Sequence, residues 1–293
     1  MFKRFIVATD LSPASYAVVS CLGMLKAYGA DHCLLLQCLS FAEMASTAFS
    51  YSTEPLEKML GEQSVLLEKQ GFTVEARTVT GAPKKEIVRL ANTEGYDLIV
   101  IGTQGHSVVE DKLLGGVAYG VINNSTKPVL TVPVSRKQDI EIACETMAPC
   151  RFGDHILFAT DFSPIADSAF LFAEHLVRLG AKQVTLVHVQ EKARMENVKA
   201  EQKQEYNALD KERLEKLQQR LLQRGAPQID LELCCGVPQQ EILRLVRERQ
   251  AQLVVMGRQG RGFFGEFFLG SVSHHVARNC PVPVLLIPGS ALQ

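Results

Sequence analysis

Short runs of apolar residues alternate along this chain with longer stretches in which apolar residues recur at the spacing of a helix face. In the second half, the apolar runs predict strands at 156–160, 184–189, 229–234, 253–256 and 282–287. The stretches between them predict helices at about 166–179, 195–224, 238–250 and 270–279. Continuous β-branched apolar runs are typical of parallel strands buried on both faces, and their alternation with helices indicates an α/β fold.

The first half follows the same order, because the sequence repeats itself. Strands are expected near 4–9, 33–39, 73–79, 97–101 and 128–132. Phe5–Pro13 returns as Ile156–Pro164, and 81–105 returns as 236–260 with 11 identical residues in 25 positions. A repeat of this length indicates two copies of one domain.

We therefore predict two tandem domains, each an open, five-stranded parallel sheet with helices on both faces. The first domain is expected at 1–134, a linker at 135–152 and the second domain at 153–293. Ser163 is the expected N-cap of the first helix in the second domain, and Gly180 is expected to end that helix. The charged stretch at 195–224 is interpreted as an amphipathic helix on the sheet, because five leucines form one apolar stripe. These leucines are Leu209, Leu214, Leu217, Leu221 and Leu222.

A glycine-rich loop follows the fourth predicted strand of the second half. Its spaced glycines are Gly257, Gly260 and Gly270, and Ser271 follows where a helix is predicted to begin. Glycine lets the backbone approach an anion closely, and the first N–H groups of a helix attract negative charge. The Ser271 hydroxyl adds one more donor. The spacing therefore predicts a phosphate cradle.

Asp161 ends the first strand of this half at the same edge of the predicted sheet. Ligands of open parallel sheets bind outside the carboxyl ends of the strands. Arg258 or Arg261 would supply positive charge beside the loop. A nucleotide fits this combination, with the carboxylate on the ribose or base and the glycines on the phosphates.

In this arrangement the chain resembles the universal stress protein family, in its tandem two-domain form. The family signature, Gly-x2-Gly-x9-Gly-Ser/Thr, is matched at every position by the loop of the second half. The resemblance extends to Asp161, to Gly236-Val-Pro238 and to the closing Pro-Val-x-x-x-Pro strand. It implies a Rossmann-like sheet in each domain. It also implies that the last strands, 128–133 and 283–288, pair to form an intramolecular pseudo-dimer.

For members of the family that bind ATP, the resemblance implies a role for each site residue. Asp161 and the backbone of Val189 would hold the adenosine. The loop glycines, Ser271 and Val272 would hold the phosphates. The implied cofactor is ATP, with ADP and AMP as alternatives and Mg²⁺ as a companion of the phosphates. A homodimer of such chains is a further implication.

The first half departs from the signature. It has Gly102, Gly105, Gly115 and Gly116, with Asp10 at the end of its first strand, so that Gly116 replaces the Ser/Thr. Losing a hydroxyl that bonds a charged phosphate costs about 1.5–3 kcal/mol, or roughly ten- to a hundred-fold in affinity. We therefore expect the C-terminal domain to bind nucleotide well and the N-terminal domain to bind it weakly or not at all.

Composition excludes several classes of partner. The 31 Lys and Arg residues nearly balance the 32 Asp and Glu residues, which argues against binding to nucleic acid or an anionic membrane. No apolar run approaches the roughly 18 residues that span a bilayer. The N-terminus has the pattern of a strand rather than of a signal peptide. We expect a cytoplasmic protein with neither a nucleic-acid nor a membrane partner.

Cysteine and histidine spacing predicts no metal site. The eight cysteines lack a CxxC pair and are expected to be reduced thiols, although Cys144 and Cys150 in the linker could form a redox pair. His274, His275 and Cys280 lie near one another in sequence but lack a second Cys/His cluster.

No residue is assigned to catalysis. Ser163, Ser271 and Cys280 lack a base-plus-orienter arrangement, and His188 is interpreted as a core or pocket-edge histidine. The prediction is a nucleotide-binding stress-response protein that acts in regulation, through an unidentified protein partner. Two alternatives stay open: a nucleotide-independent interaction module, and a slow ATPase coupled to a partner.

Overall fold

The computed structural model divides the chain into two compact units, Met1–Cys150 and Arg151–Gln293. It describes residues 2–40, 54–103, 114–136, 142–144, 153–261 and 269–289. Each unit contains an open, five-stranded parallel sheet, as the alternating pattern predicts. Gly105 of the predicted first site lies outside the described residues, as does Cys150 of the possible redox pair.

The sheet of the N-terminal unit has the strand order β5-β4-β1-β2-β3. Its strands are β1 (Arg4–Thr9), β2 (His32–Leu39), β3 (Thr73–Thr80), β4 (Leu98–Gly102) and β5 (Val129–Val132). Its helices are α1 (Pro13–Ser20), a 3₁₀ helix (Leu22–Tyr28), α2 (Glu54–Lys69), α3 (Pro83–Thr93) and α4 (Gly116–Asn124). The chain thus winds outward from β1 to β3 and returns to the other side of β1 with β4.

A short antiparallel pair follows, within the segment that was predicted to be a linker. It consists of β6 (Val134–Arg136) and β7 (Ile142–Cys144). Two three-residue strands lack the length that gives a recognisable sequence pattern, so nothing in the residues signalled them.

The C-terminal unit repeats the topology, with the strand order β12-β11-β8-β9-β10. Its strands are β8 (His155–Ala159), β9 (Gln183–Glu191), β10 (Gln228–Gly236), β11 (Leu253–Gly257) and β12 (Val284–Ile287). Its helices are α5 (Pro164–Arg178), α6 (Lys192–Met195), α7 (Ala200–Gln223), α8 (Pro238–Glu248) and α9 (Ser271–Asn279). No helix within the described ranges is long and apolar enough to cross a membrane.

The central strands show that helices cover both faces of each sheet. Consecutive residues of a strand point to opposite faces. Phe5, Ile6 and Val7 of β1 are nevertheless all buried, and so are Ile156 and Leu157 of β8. The continuous apolar runs in the sequence therefore have the cause expected for parallel sheets.

The first helix of each unit begins with a serine cap, and the cap of the C-terminal unit, Ser163, is the predicted one. Ser12 accepts a hydrogen bond from the Ser15 N–H, and Ser163 accepts one from the Ala166 N–H. In each helix a proline follows the cap, where its missing N–H costs nothing. Gly180 adopts a φ of 110° directly after α5, which confirms the predicted end of that helix.

The long charged helix differs from the prediction in two ways. The helix expected at 195–224 begins only at Ala200, and a separate four-residue helix, α6 (Lys192–Met195), precedes it. Leu214, Leu217 and Leu221 are buried, but Leu209 and Leu222 are 45% and 46% exposed. At 3.6 residues per turn, these two leucines lie about 110° to either side of the centre of the buried stripe, so they cannot face the sheet.

The interior of the C-terminal unit is centred on an aromatic pair. Phe158 on β8 and Phe170 on α5 pack edge to face, with ring centroids 5.3 Å apart. The guanidinium of Arg220 lies 4.6 Å from the centroid of the Phe170 ring, so the long helix α7 also closes over this pair. Phe170 is therefore a tight link between α5, α7 and the sheet.

Phe170→Ala should lower the free energy of unfolding of the C-terminal unit by about 3–5 kcal/mol, because it leaves a cavity against Phe158. The adjacent Leu171 is 41% exposed, and Leu171→Ala should change stability by about 0.5 kcal/mol or less. Urea unfolding of the full-length variants, followed by circular dichroism, measures both. Equal shifts in the two variants would contradict this description of the core.

Candidate functional site

The candidate site lies where the strand order reverses. In the C-terminal unit, β8 continues to β9 and β10 on one side, whereas β11 lies on its other side. The connections that follow β8 and β11 therefore diverge and leave a crevice at the carboxyl edge of the sheet. Open α/β sheets bind their ligands at such a position.

Asp161 bridges this crevice. Its Oδ1 accepts the N–H of Ser163 at 3.1 Å, in the turn that leads from β8 into α5. Its Oδ2 accepts the N–H of Arg261 at 2.7 Å, in the loop that follows β11. The structure thus brings Asp161 and the glycine-rich loop together, 100 residues apart in sequence.

The glycines of the loop are required by close contacts within the protein. A Cβ added to Gly260 would lie 2.5 Å from Asp161 Oδ2. A Cβ on Gly257 would lie 2.9 Å from Ile165 Cγ2, and one on Gly270 would lie 3.3 Å from the Arg258 carbonyl oxygen. These distances are shorter than ordinary van der Waals contact, so side chains would push the loop away from Asp161.

Helix α9 begins beside this loop, and a serine fixes its position. Gly270 is the N-cap, with its N–H donating to the Arg258 carbonyl at 3.0 Å. Ser271 is exposed and Val272 is half-buried in the first turn. The buried Ser273 donates its hydroxyl to the Gly257 carbonyl at 2.9 Å, which ties the helix to the end of β11. Ser273 was not predicted from the sequence, because no sequence motif distinguishes it from other serines in helices.

The two arginines of the loop differ in environment. Arg258 is 5% exposed, and burial lowers the pKa of its guanidinium. Arg261 is exposed, with its guanidinium 5.7 Å from the centroid of the Phe162 ring. Of the two predicted sources of charge, Arg261 is the one at the surface of the crevice.

A buried histidine lies beneath the turn that carries Asp161. His188 Nδ1 is 2.8 Å from the Thr160 carbonyl oxygen, and its Nε2 is 3.5 Å from Oδ2 of Asp210 on α7. Burial is the main influence on the pKa of His188 and lowers it, against the opposing effects of the Thr160 carbonyl and Asp210. Val189, the next residue on β9, is half-buried.

The N-terminal unit has a similar turn. Asp10 Oδ1 accepts the Ser12 N–H at 3.0 Å, as Asp161 does with Ser163. The Gly115 N–H donates to the Thr103 carbonyl at 2.9 Å, which matches the Gly270 contact. The two units therefore share these two contacts. They differ at the first residue of the following helix, which is Gly116 in α4 and Ser271 in α9.

Within the described part of the chain, no three His, Cys, Asp or Glu side chains are grouped so that they could hold a metal ion. Cys280, one of the three residues considered as a weak metal pattern, is buried.

Gly260→Ala should separate the Arg261 N–H from Asp161, because the new methyl would lie 2.5 Å from Oδ2 and displace the carboxylate. Amide hydrogen exchange at Arg261 in the full-length protein should accelerate by about tenfold or more, as one hydrogen bond is lost. Gly116→Ala is the matched control, since an added Cβ there has no atom within 4 Å. Unchanged exchange at Arg261 in Gly260→Ala would show that the contact does not hold the loop.

The depressed pKa of His188 predicts the pH dependence of stability. A histidine in an unfolded chain has a pKa of about 6.5, so as the pH falls the imidazole takes up its proton in the unfolded state before it does so in the folded state. The stability contributed by neutral His188 is therefore complete above about pH 6.5 and declines below it, towards the pKa of the folded protein. Urea unfolding of His188→Gln should show a shallower loss of stability than the unaltered chain between about pH 7 and 5. Equal slopes would contradict this.

Comparisons with known proteins identify the family. The family model "Universal stress protein family" matches the chain twice, at residues 1–133 and 153–288. A universal stress protein of Methanocaldococcus jannaschii is 28% identical over 154 residues, which cover 45% of this chain and 95% of that protein. One of Mycolicibacterium smegmatis is 27% identical over 243 residues, covering 81% of this chain and 76% of that protein.

A solved structure agrees over the whole chain. The crystal structure of a universal stress protein from Archaeoglobus fulgidus aligns with a TM-score of 0.74 at 25% identity, covering 99% of both chains. The repeated domain, its strand order and the glycine loop at the switch point are thus found together with two matches to one family model. This chain belongs to the universal stress protein family, in a tandem two-domain form.

Proposed function

We propose that the chain binds an adenine nucleotide, principally ATP, and that the C-terminal unit holds the main site. The observation that carries this proposal is the bridge between Asp161 and the Arg261 N–H across the switch point. It places a carboxylate, a glycine-rich loop and the start of α9 around one crevice. A nucleotide has a neutral nucleoside that offers hydroxyl donors and an anionic phosphate chain, which matches these two kinds of partner.

The residues present fit the phosphates. The first N–H groups of a helix have no partner within it, and the glycine N-cap of α9 has no side-chain oxygen to satisfy them. The Ser271 hydroxyl is exposed beside these groups, and the Arg261 guanidinium is at the surface of the crevice. We propose that Gly257, Gly260, Gly270 and Val272 line this cradle through their backbone.

The nucleoside is proposed to lie on the other side of Asp161. Its carboxylate would accept ribose hydroxyls, and the backbone of Val189 would face the base. Buried Arg258 would contribute through the position of its backbone and its positive charge, while Mg²⁺ would accompany the phosphates of ATP. ADP and AMP would occupy the same nucleoside position with fewer phosphate contacts.

The N-terminal unit is proposed to be the weaker site. Asp10, Gly102, Gly105 and Gly115 are retained there, but Gly116 offers no hydroxyl to a phosphate. This difference corresponds to roughly ten- to a hundred-fold in affinity.

We further propose that binding serves regulation rather than chemistry. Of the three candidate nucleophiles, Ser163 is buried with its hydroxyl capping α5, and Cys280 is buried. The third, Ser271, is exposed and is proposed above as a donor to the phosphates. The nucleotide would control the recruitment of a regulatory protein partner in the cytoplasm, with a dimer of two chains as the proposed assembly.

Freshly purified full-length protein, denatured and analysed by mass spectrometry, should release an adenine nucleotide. The double variant Gly270→Val/Ser271→Ala should release little or none, because a valine side chain would collide with the Arg258 carbonyl and the phosphate donor would be lost. Ser168→Ala is the control and should retain the wild-type amount, because this half-buried serine on α5 bonds only the Pro164 carbonyl of its own helix. Absence of nucleotide from the wild type, together with no thermal shift on added ATP, would contradict the proposal.

A further inference from the structure

We propose that His188 is a positioning residue for nucleotide binding, because it holds both neighbours of Asp161. The inference rests on the proposed nucleotide site and adds a residue that lies beneath it. His188 is on β9, and its ring reaches across to the turn that leaves β8. Its ring contacts Thr160 and Phe162, and Asp210 lies beside Nε2.

The contact with Thr160 fixes the tautomer of the imidazole. A backbone carbonyl oxygen only accepts hydrogen bonds, so the nitrogen 2.8 Å from it, Nδ1, carries the hydrogen and donates. The Thr160 N–H in turn donates to the Val187 carbonyl at 2.9 Å. The peptide groups on both sides of the Thr160 Cα are thus held by β9, directly before the residue that bridges the crevice.

The same ring supports the residue after Asp161. Phe162 and His188 have ring centroids 4.5 Å apart, with an angle of 39° between the ring planes. Phe162 has a φ of 57°, in the left-handed region that is unfavourable for a residue with a side chain. Packing against the imidazole offsets that cost. The carboxylate of Asp161 is therefore aimed by one side chain that contacts the residues on either side of it.

Asp210 lies at the other end of the ring and pairs with Arg213 on the same helix. Its Oδ2 lies 3.5 Å from His188 Nε2 and also accepts the side-chain amide of Gln190 at 3.0 Å. Its Oδ1 lies 3.3 Å from Nη1 of Arg213, whose guanidinium is 5.3 Å from the Phe162 ring centroid. With its hydrogen on Nδ1, neutral His188 has none on Nε2 to donate to Asp210, so α7 supports the turn through Arg213 and the Phe162 ring.

The N-terminal unit offers a natural comparison. Leu11 has a φ of 58° at the position that matches Phe162, so the turn itself is retained. At the position of His188 stands Gln37, whose Oε1 accepts the Thr78 hydroxyl at 3.1 Å from the neighbouring strand β3. A glutamine at this position therefore has a different partner from the imidazole, in the unit that also lacks the signature serine.

Two substitutions distinguish the positioning role of His188 from the effects of its side-chain volume and burial. In His188→Asn, the side-chain amide nitrogen would lie near the wild-type position of Nδ1 and could still donate to the Thr160 carbonyl. In His188→Gln, the side-chain amide nitrogen would lie near the wild-type position of Nε2, beside Asp210, and could not reach the Thr160 carbonyl. Both variants are made in the full-length protein. Amide hydrogen exchange at Ser163 and Arg261, which bond the two oxygens of Asp161, is measured together with ATP affinity by calorimetry.

We expect His188→Gln to exchange faster at both amides and to bind ATP about three- to tenfold more weakly, the effect of one lost hydrogen bond. His188→Asn should retain most of the wild-type protection and affinity.

The inference is overturned if His188→Gln has wild-type exchange and affinity. It is also overturned if both variants lose affinity in proportion to their melting temperatures, since the role would then be structural only. A wild type that binds no ATP would overturn the proposed function and this inference together, whereas the other outcomes leave the proposed function standing.

Discussion

The hydrogen bond from the Arg261 N–H to Asp161 joins two strands whose connections leave the sheet in opposite directions. Because β8 and β11 are adjacent and parallel, their carboxyl ends open on the same crevice. The contact requires a residue without a Cβ at Gly260, a serine cap at the start of α5 and a helix that begins close to the end of β11. Each of these features is present, and each depends on the residues around the switch point rather than on the strands themselves.

The two units share the turn that carries the aspartate and differ in the residues around it. Both place a left-handed residue before a serine cap, and both bond the aspartate to the amide of that serine. The differences lie in the groups that would meet a ligand or aim the carboxylate: Gly116 in place of Ser271, and Gln37 in place of His188. Such a pattern is expected when one copy of a duplicated domain keeps its fold under stability constraints while its ligand site diverges.

The sequence predicted the sheet well because its signals are local. Buried parallel strands are continuous apolar runs, and Ser163, Pro164 and Gly180 mark the ends of α5 through their own backbone preferences. The sequence also predicted that Asp161 and the glycine-rich loop lie in one crevice, because both follow strands whose carboxyl ends meet at the same edge of the sheet. The break between α6 and α7 and the exposure of Leu209 were not predicted, because the leucine spacing alone did not show which of the five leucines face the sheet.

The support beneath the site could not be predicted for a different reason. Asp210 and Arg213 are part of a helix in which opposite charges nearly cancel, and no local pattern distinguishes them from solvent-exposed charges. Ser273 looks like any helical serine until β11 places a carbonyl oxygen in front of it. These residues gain their roles only from tertiary contacts, which join positions far apart in the chain.

The most direct test of the account exchanges the residue that differs between the two sites. Wild type, Ser271→Gly and Gly116→Ser, all full length, are titrated with ATP by calorimetry under one set of conditions. The account predicts one strong site in the wild type, weakened roughly ten- to a hundred-fold in Ser271→Gly, and a second site strengthened by a similar factor in Gly116→Ser. The serine has room at position 116, where an added Cβ meets no atom within 4 Å. Two wild-type sites of equal affinity, or no response to either exchange, would contradict it.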